Sequence, residues 1–181
     1  LGKGLYTYTI DDEEGKININ KATPQLLCAM LQYYGYDEID AQQTANSIVD
    51  WRDPDSIVLG DDQSTGLSEN EFYSQSIGQN LTKDMTDDQL IYRCPNEPFL
   101  SIEELLDVNG ITQELFFGTD EEAAAKMSIA TRNKAATGSQ VRTTTKRRGL
   151  NKNTTPLCNI LTVYGDGNLN LNTADEEVLT I

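Results

Sequence analysis

Seven carboxylates lie close together in the first half of the sequence, and their spacing points to cation binding. Within 22 residues they are Asp50, Asp53, Asp55, Asp61, Asp62, Glu69 and Glu71. Like charges at this density repel one another unless water or a cation lies between them. Calcium takes six to eight oxygens in loose geometry, whereas magnesium requires a tight octahedron. The pattern therefore predicts calcium binding, with a merely solvated acidic loop as the alternative.

The chain contains no histidine. This absence removes the commonest general base, the serine and cysteine triads that depend on it, and most zinc sites. Two carboxylates about 5 to 9 Å apart can still hydrolyse glycosides, so a carboxylate-only hydrolase stays open as an alternative. We predict that the protein is not an enzyme.

Charge is distributed unevenly along the chain. The sequence has 14 basic and 29 acidic residues and a net charge of −15, which argues against a nucleic-acid partner because phosphate binding depends on Lys and Arg. Eight of the basic residues and none of the acidic ones fall in residues 126–165. The segment Thr131–Pro156 has almost no large apolar residues. We interpret it as a mobile basic loop, with a patch for an acidic partner or nucleic acid as the alternative.

Three cysteines, Cys28, Cys94 and Cys158, are far apart and show no CxxC spacing. A metal knuckle or a redox pair is therefore not indicated. Cys28 lies in an apolar run and is interpreted as a small buried residue, whereas a bridge between Cys94 and Cys158 stays open.

The same short pattern occurs near both ends of the chain. Glu14–Leu27 reads EGKININKATPQLL and Asp166–Leu179 reads DGNLNLNTADEEVL, and both contain Gly-x-apolar-Asn-apolar-Asn-x-Ala. The second copy imitates the spacing of an EF-hand, but Leu171 occupies the position that requires glycine. We interpret each copy as a strand that turns into a helix.

Hydrophobic periodicity predicts two β-hairpins with helices between them. The first hairpin joins Leu5–Ile10 to Lys16–Asn20, and the second joins Asn159–Tyr164 to Asn168–Asn172. The predicted helix N-caps are Thr23 (before Pro24), Asp40, Ser101 (with Glu104), Thr112 and Thr173 (with Glu176).

One helical corner, Leu105–Leu115, is similar to a helix-hairpin-helix, whose glycine turn presents backbone amides to DNA phosphates. Thr112 replaces the usual second glycine, and neither Lys nor Arg follows in the next helix. An extracytoplasmic DNA-binding module is therefore kept as the alternative function.

Six motifs in order, read together, are specific where each alone is weak. They are EGKININ, an LL segment with a glycine corner, SIVDWRDPD, Glu69-x-x-x-Tyr73, PNEPFLSIEELLDVNGIT and LTVYGDGNLNLNTADEEVL. In this order they closely resemble the K-type minor pseudopilins of the bacterial type II secretion system (general secretion pathway protein K). The resemblance covers about residues 11–118 and 157–181.

The resemblance implies an α+β fold in which a large α-helical domain is inserted into a pilin-like antiparallel β-sheet. Residues 1–20 would begin the pilin-like domain, 21–118 would form the helical insertion and 119–156 the mobile basic loop. Residues 157–181 would return to the sheet and begin a truncated helix. Because the chain starts at Leu1 without methionine and stops at Ile181, we expect both ends to be cut.

The resemblance also implies a structural role in protein export across the outer membrane. K-type proteins sit at the pseudopilus tip with the I- and J-type minor pseudopilins, near the major pseudopilin, and the exported protein is a further candidate partner. A hydrophobic N-terminal helix, absent from this chain, would anchor the precursor in the inner membrane and leave a periplasmic soluble domain. Some members bind calcium, which places the best ligands at Asp53, Asp55 and Glu69, with Asp61, Asp62 and Glu71 around them.

Overall fold

The computed structural model describes residues 7–8, 10–60, 66–76, 92–118 and 154–181, and the structural statements below concern these residues. The α-helices are α1 (Pro24–Tyr33), α2 (Glu38–Arg52), α3 (Glu69–Ser76), α4 (Gln113–Phe117), α5 (Leu157–Ile160) and α6 (Glu176–Thr180). The strands are β1 (Ile17–Asn18) and β2 (Leu161–Thr162), and 3₁₀ helices lie at Glu13–Gly15 and Ile102–Asp107.

Helix α1 forms where the sequence predicts it. The Thr23 hydroxyl accepts a hydrogen bond from the Leu26 N–H (3.2 Å), and Pro24 supplies the first helical residue. The helix ends before Gly35, whose φ of +95° suits a residue without a side chain. One face of α1 is fully buried and packs against α2.

Helix α2 begins three residues earlier than predicted. Its N-cap is Asp37, whose carboxylate accepts a hydrogen bond from the Asp40 N–H (2.8 Å). The prediction of Asp40 as the cap is therefore wrong, because Asp40 lies within the first turn. The predicted caps Ser101, with Glu104, and Thr112 are confirmed, although the element after Ser101 is a 3₁₀ helix.

The core lies between α1, α2 and the segments that follow them. Its largest fully buried side chains are Tyr34, Phe116, Ile19, Leu27, Met30, Leu31, Ile48, Leu105, Leu115, Leu157, Ile160 and Leu161. Leu157, Ile160 and Leu161 come from the far end of the chain, so residues 157–161 belong to the same core as the first helices. Within the described residues, no helix has both the length and the apolar character needed to cross a bilayer.

The two described strands pair in parallel, with Ile17 opposite Leu161 and Asn18 opposite Thr162. The α+β class is confirmed in this coarse form. The second predicted hairpin is wrong, because residues 168–172 form a loop and a turn instead of pairing with β2. Leu5–Ile10 lies mostly outside the described residues, as does the predicted loop 119–156, and the described strands form no pilin-like antiparallel sheet.

The two sequence copies have the same local structure. The Asn18 side-chain oxygen accepts from the Asn20 N–H (2.9 Å), and the Asn170 oxygen accepts in the same way from the Asn172 N–H (3.2 Å). Each copy then leads into a helix, α1 or α6. The Thr173 cap is wrong, because α6 begins after Asp175, the counterpart of Thr23 in the first copy.

The copies also contact each other reciprocally. A methyl group on Gly15 would lie 2.8 Å from the Thr173 carbonyl oxygen, and one on Gly167 would lie 2.7 Å from the Lys21 Cβ. In the pattern Gly15 corresponds to Gly167 and Lys21 to Thr173, so each glycine packs against the equivalent position of the other copy. This arrangement explains why both copies require glycine at the same place.

Asn20 binds the backbone of a distant segment, and its replacement provides a test of the fold. Its side-chain amide donates to the Phe99 carbonyl (3.0 Å) and its oxygen accepts from the Phe99 N–H (2.8 Å). Two lost hydrogen bonds of about 1 kcal/mol each predict that Asn20→Ala lowers the free energy of unfolding by about 2 kcal/mol.

Asn172→Ala is the matched control, because Asn172 is exposed and bonds only within its own turn through the contacts seen here. We expect it to change stability by less than about 0.5 kcal/mol. Urea denaturation of both variants measures the difference, and equal losses would contradict the role given to Asn20.

Candidate metal centre

Three of the carboxylates meet at the junction of α2 and α3. Oxygens of Asp50, Asp53 and Glu69 all lie within 4.8 Å of one another, and we call this group the acidic centre. Asp50 lies in the last turn of α2 and Asp53 is its C-cap, so the two are neighbours on the helix surface. A bridge between Ile57 and Ser68 folds the intervening loop back and brings the start of α3 to them.

Asp50 is completely buried and already hydrogen-bonded. Its two oxygens each lie 3.1 Å from the Leu59 N–H, which donates to them, and the Tyr73 hydroxyl donates to Oδ2. Burial raises the pKa of Asp50 to about 6, and the two donors oppose this rise. Asp50 is thus the positioned member of the centre.

Glu69 is the member that lacks partners. It is 1% exposed, and neither of its carboxylate oxygens has a hydrogen bond of ordinary geometry. Burial raises its pKa to about 8, and the charges of Asp50, Asp53 and Asp55 add to the rise, while the nearby Cys94 thiol lowers it slightly. A buried carboxylate without a partner is costly, so the centre is chemically incomplete without a positive ligand.

Asp53 is half-buried, and its Oδ1 atom is also without a hydrogen-bond partner. Burial raises the pKa of Asp53, and the charge of Asp55 adds to this. The adjacent Arg52 does not fill the centre, because its guanidinium donates to the carbonyl oxygens of Ile19 and Ala22.

The other predicted ligands have different fates. The Asp55 carboxylate is exposed and accepts from the Ile57 N–H (2.8 Å), outside the group of three. Glu71 accepts from both the N–H and the hydroxyl of Ser68 (2.8 Å each) at the start of α3. Asp61 and Asp62 lie outside the described residues. The sequence prediction thus located the centre through Asp53 and Glu69 but did not select Asp50.

The EF-hand-like spacing of the second copy does not gather ligands. Asp166 accepts from the backbone N–H of Asn168 (2.9 Å) and from its side-chain amide (2.8 Å), which closes a local turn. The Asn170 amide donates instead to Asp12 (2.9 Å). These side chains serve the fold of the two copies.

The acidic centre fits a hard divalent cation. It offers oxygens from three side chains at short mutual distance, and Glu69 and Asp53 have oxygens that no other group uses. Calcium accepts such irregular oxygen sets and completes its shell with water and carbonyl groups. The described residues can therefore hold part of a calcium shell.

The burial of the centre argues against catalysis by carboxylates. A glycosidase needs two acids that a sugar can reach, whereas Asp50 and Glu69 are 0% and 1% exposed. A cleft of about 790 Å³ does open elsewhere, between the two sequence copies, where Asp12, Lys16 and Asp175 line it. It contains none of the three centre residues.

The three cysteines are free thiols. Cys94 lies beside Glu69, whereas Cys158 lies in α5 and lines the cleft, so the Cys94–Cys158 bridge that the sequence left open is not formed. Cys28, which the sequence placed in the core, is only partly buried.

Together these features define a small α+β structural module with a buried acidic centre. The family model described as type II secretion system (T2SS), protein K, matches residues 9–117, more than half of the chain. The chain therefore belongs to the type II secretion system protein K family, which confirms the resemblance seen in the motif order. This family is a structural component of the secretion system, and its membership implies other pseudopilins as partners. No curated protein and no solved structure was found to match the chain.

Proposed function

We propose that the chain is the periplasmic part of a minor pseudopilin at the tip of the type II secretion pseudopilus, where it assembles with the I- and J-type minor pseudopilins. Family membership carries the proposal, because the matched residues 9–117 include helices α1 to α4 and the acidic centre. Its role is structural, in the export of proteins across the outer membrane.

The rest of the assembly follows from the same proposal. Residues 21–118 form a helical insertion, and residues 1–20 and 157–181 belong to the pilin-like part. An N-terminal hydrophobic helix anchors the precursor in the inner membrane and later packs against the major pseudopilin. The exported protein is a further candidate for contact with the tip.

Calcium at the acidic centre is part of the proposed function. The unpartnered oxygens of buried Glu69 are the observation that supports it, because a cation would supply the missing positive charge. Bound there, calcium would join the end of α2 to the start of α3. The ion would therefore fix the relative position of two helices in a surface that has to dock onto partners.

The alternative of a DNA-binding helix-hairpin-helix receives no support from the packing of its turn. The Gly110 carbonyl accepts from the Tyr36 hydroxyl (2.8 Å), and a methyl group on Gly110 would lie 2.3 Å from the Thr44 hydroxyl oxygen. The turn thus packs against α2. Salt-sensitive binding to duplex DNA at about 50 mM salt would revive the alternative.

The assembly role predicts a stable heterotrimer. Mixing the chain with the purified soluble domains of its cognate I- and J-type partners should give a single 1:1:1 species in size-exclusion chromatography with light scattering. The pairwise mixtures are the controls, since they show whether the chain needs one partner or both.

Calcium is added in one series and a chelator in the other. If the chain elutes alone from every mixture with cognate partners in the presence of calcium, the tip assignment is wrong. A complex that forms equally well in the chelator would keep the assembly role but remove calcium from it.

A further inference from the structure

The Cys94 thiol is fixed beside the acidic centre. The backbone N–H of Cys94 donates to the side-chain oxygen of Asn70 (2.6 Å), which holds this segment against the first turn of α3 next to Glu69. The thiol is near enough to Glu69 to affect its charge state. Burial raises the pKa of the thiol to about 12, and the charges of Glu69, Asp50 and Asp53 contribute to that rise.

The donors with unused electron pairs include one sulfur. Asp50 already accepts from Leu59 and Tyr73, so it is the least available of the carboxylates. The available donors are Asp53 Oδ1, the two Glu69 oxygens and the Cys94 sulfur. This is a small mixed set of oxygen and sulfur donors, and a calcium ion would use its oxygens only.

Mixed oxygen and sulfur donors select a different class of ion. Zinc is four-coordinate, accepts carboxylate oxygens at about 2.0 to 2.2 Å and thiolate sulfur at about 2.3 Å. Thiolate ligands generally favour zinc and similar soft ions over calcium and magnesium. Asp53, Glu69 and Cys94, with water or Asp50 in the fourth position, match such a shell in number and type.

We propose that the acidic centre also binds a thiophilic divalent cation, of the zinc and cadmium class, with Cys94 as a ligand. The inference rests on the proposed cation site and extends the chemistry of that site to a second class of ion. On binding, the S–H bond of Cys94 breaks, the proton leaves to water and the sulfur binds the metal. The soft ion then competes with calcium for Asp53 and Glu69.

Cadmium is the probe, because a cadmium–thiolate bond gives an ultraviolet charge-transfer band. The titration uses the full chain carrying Cys28→Ser and Cys158→Ser, which leaves Cys94 as its single thiol. We expect a saturable band at one cadmium per chain. Adding Cys94→Ser should remove the band and weaken cadmium binding by roughly ten-fold to 100-fold.

Calcium binding to the same variants separates this inference from the proposed function. Trp51, the single tryptophan of the chain, follows Asp50 directly and reports ion binding by fluorescence. Cys94→Ser should leave the calcium response in place. A calcium response without any cadmium band overturns the cysteine ligand alone, whereas the lack of both responses overturns the cation site itself.

A second measurement covers the case in which Cys94→Ser does not fold. Zinc, but not magnesium, should slow the alkylation of Cys94 in the chain with a single thiol, and Glu69→Gln should abolish that protection. Unchanged alkylation in saturating zinc would overturn the proposal. So would protection that survives Glu69→Gln, because the metal would then be bound elsewhere.

Discussion

Replacing Glu69 by glutamine should raise the melting temperature of the calcium-free protein and abolish the further rise that calcium produces in the original chain. The reason is that Glu69 is 1% exposed with two unpartnered oxygens, so its charge destabilises the fold until a cation joins it. Glutamine has the same shape without the charge. The two variants should therefore exchange their order of stability when calcium is added, which differential scanning calorimetry measures directly.

The pH dependence of stability provides an independent check on Glu69. Its pKa is 4.5 in the unfolded reference and about 8 in the folded chain, so the folded state binds more protons between these values. The contribution of this group to stability is therefore complete below about pH 4.5 and is lost as pH rises toward 8. At about 1.4 kcal/mol per pKa unit, the loss is on the order of 3 kcal/mol.

Urea denaturation in a chelator at about pH 5 and pH 8 should show this loss in the original chain and a smaller one in Glu69→Gln. Glu97→Gln is the matched control, because Glu97 is exposed and outside the centre. Identical pH slopes for the original chain and Glu69→Gln would contradict the burial of an unpaired charge. An undiminished calcium response in Glu69→Gln would place the ion elsewhere.

Replacing Arg52 by methionine should lower the free energy of unfolding by about 3 kcal/mol. The guanidinium donates to the carbonyl oxygens of Ile19 and Ala22, which belong to the turn between β1 and α1. Hydrogen bonds from a charged donor contribute about 1.5 to 3 kcal/mol each, and methionine preserves much of the apolar stem. The carbonyl of Ile19, a completely buried residue, would lose this donor.

Arg52→Lys is the informative control, because lysine keeps the charge but not the fork that reaches two carbonyls. We expect it to restore less than half of the lost stability, as measured by urea denaturation. Calcium should still stabilise both variants, since Arg52 supplies no ligand. If Arg52→Met were as stable as the original chain, the contact between α2 and the first sequence copy would have little energetic weight.

Local signals in the sequence predicted the local features of the fold. Thr23 and Pro24 begin α1 because a capping hydroxyl and a fixed proline φ act within one turn. The antiparallel hairpins failed for the opposite reason. Ile17 pairs with Leu161, across most of the chain, and no pattern within either copy contains that information.

The acidic centre was predicted in part for a related reason. The density of carboxylates and the family-like positions identified Asp53 and Glu69. Asp50 was set aside, although it lies in the same run, since its burial depends on Leu59 and Tyr73 coming from other segments. The apolar face of α2 did carry a signal: Asp50 falls beside Trp51 at its buried end.

The pairing of β1 with β2 has a consequence for how this chain tolerates change in length. Residues 19–160 leave one strand and return to its neighbour, so their two ends stand about 4.8 Å apart. The entropy of closing such a loop grows only with the logarithm of its length, and a doubling adds about 0.6 kcal/mol. Long insertions between the helices therefore alter the closure of this strand pair very little, and relatives of very different length can share the same junction.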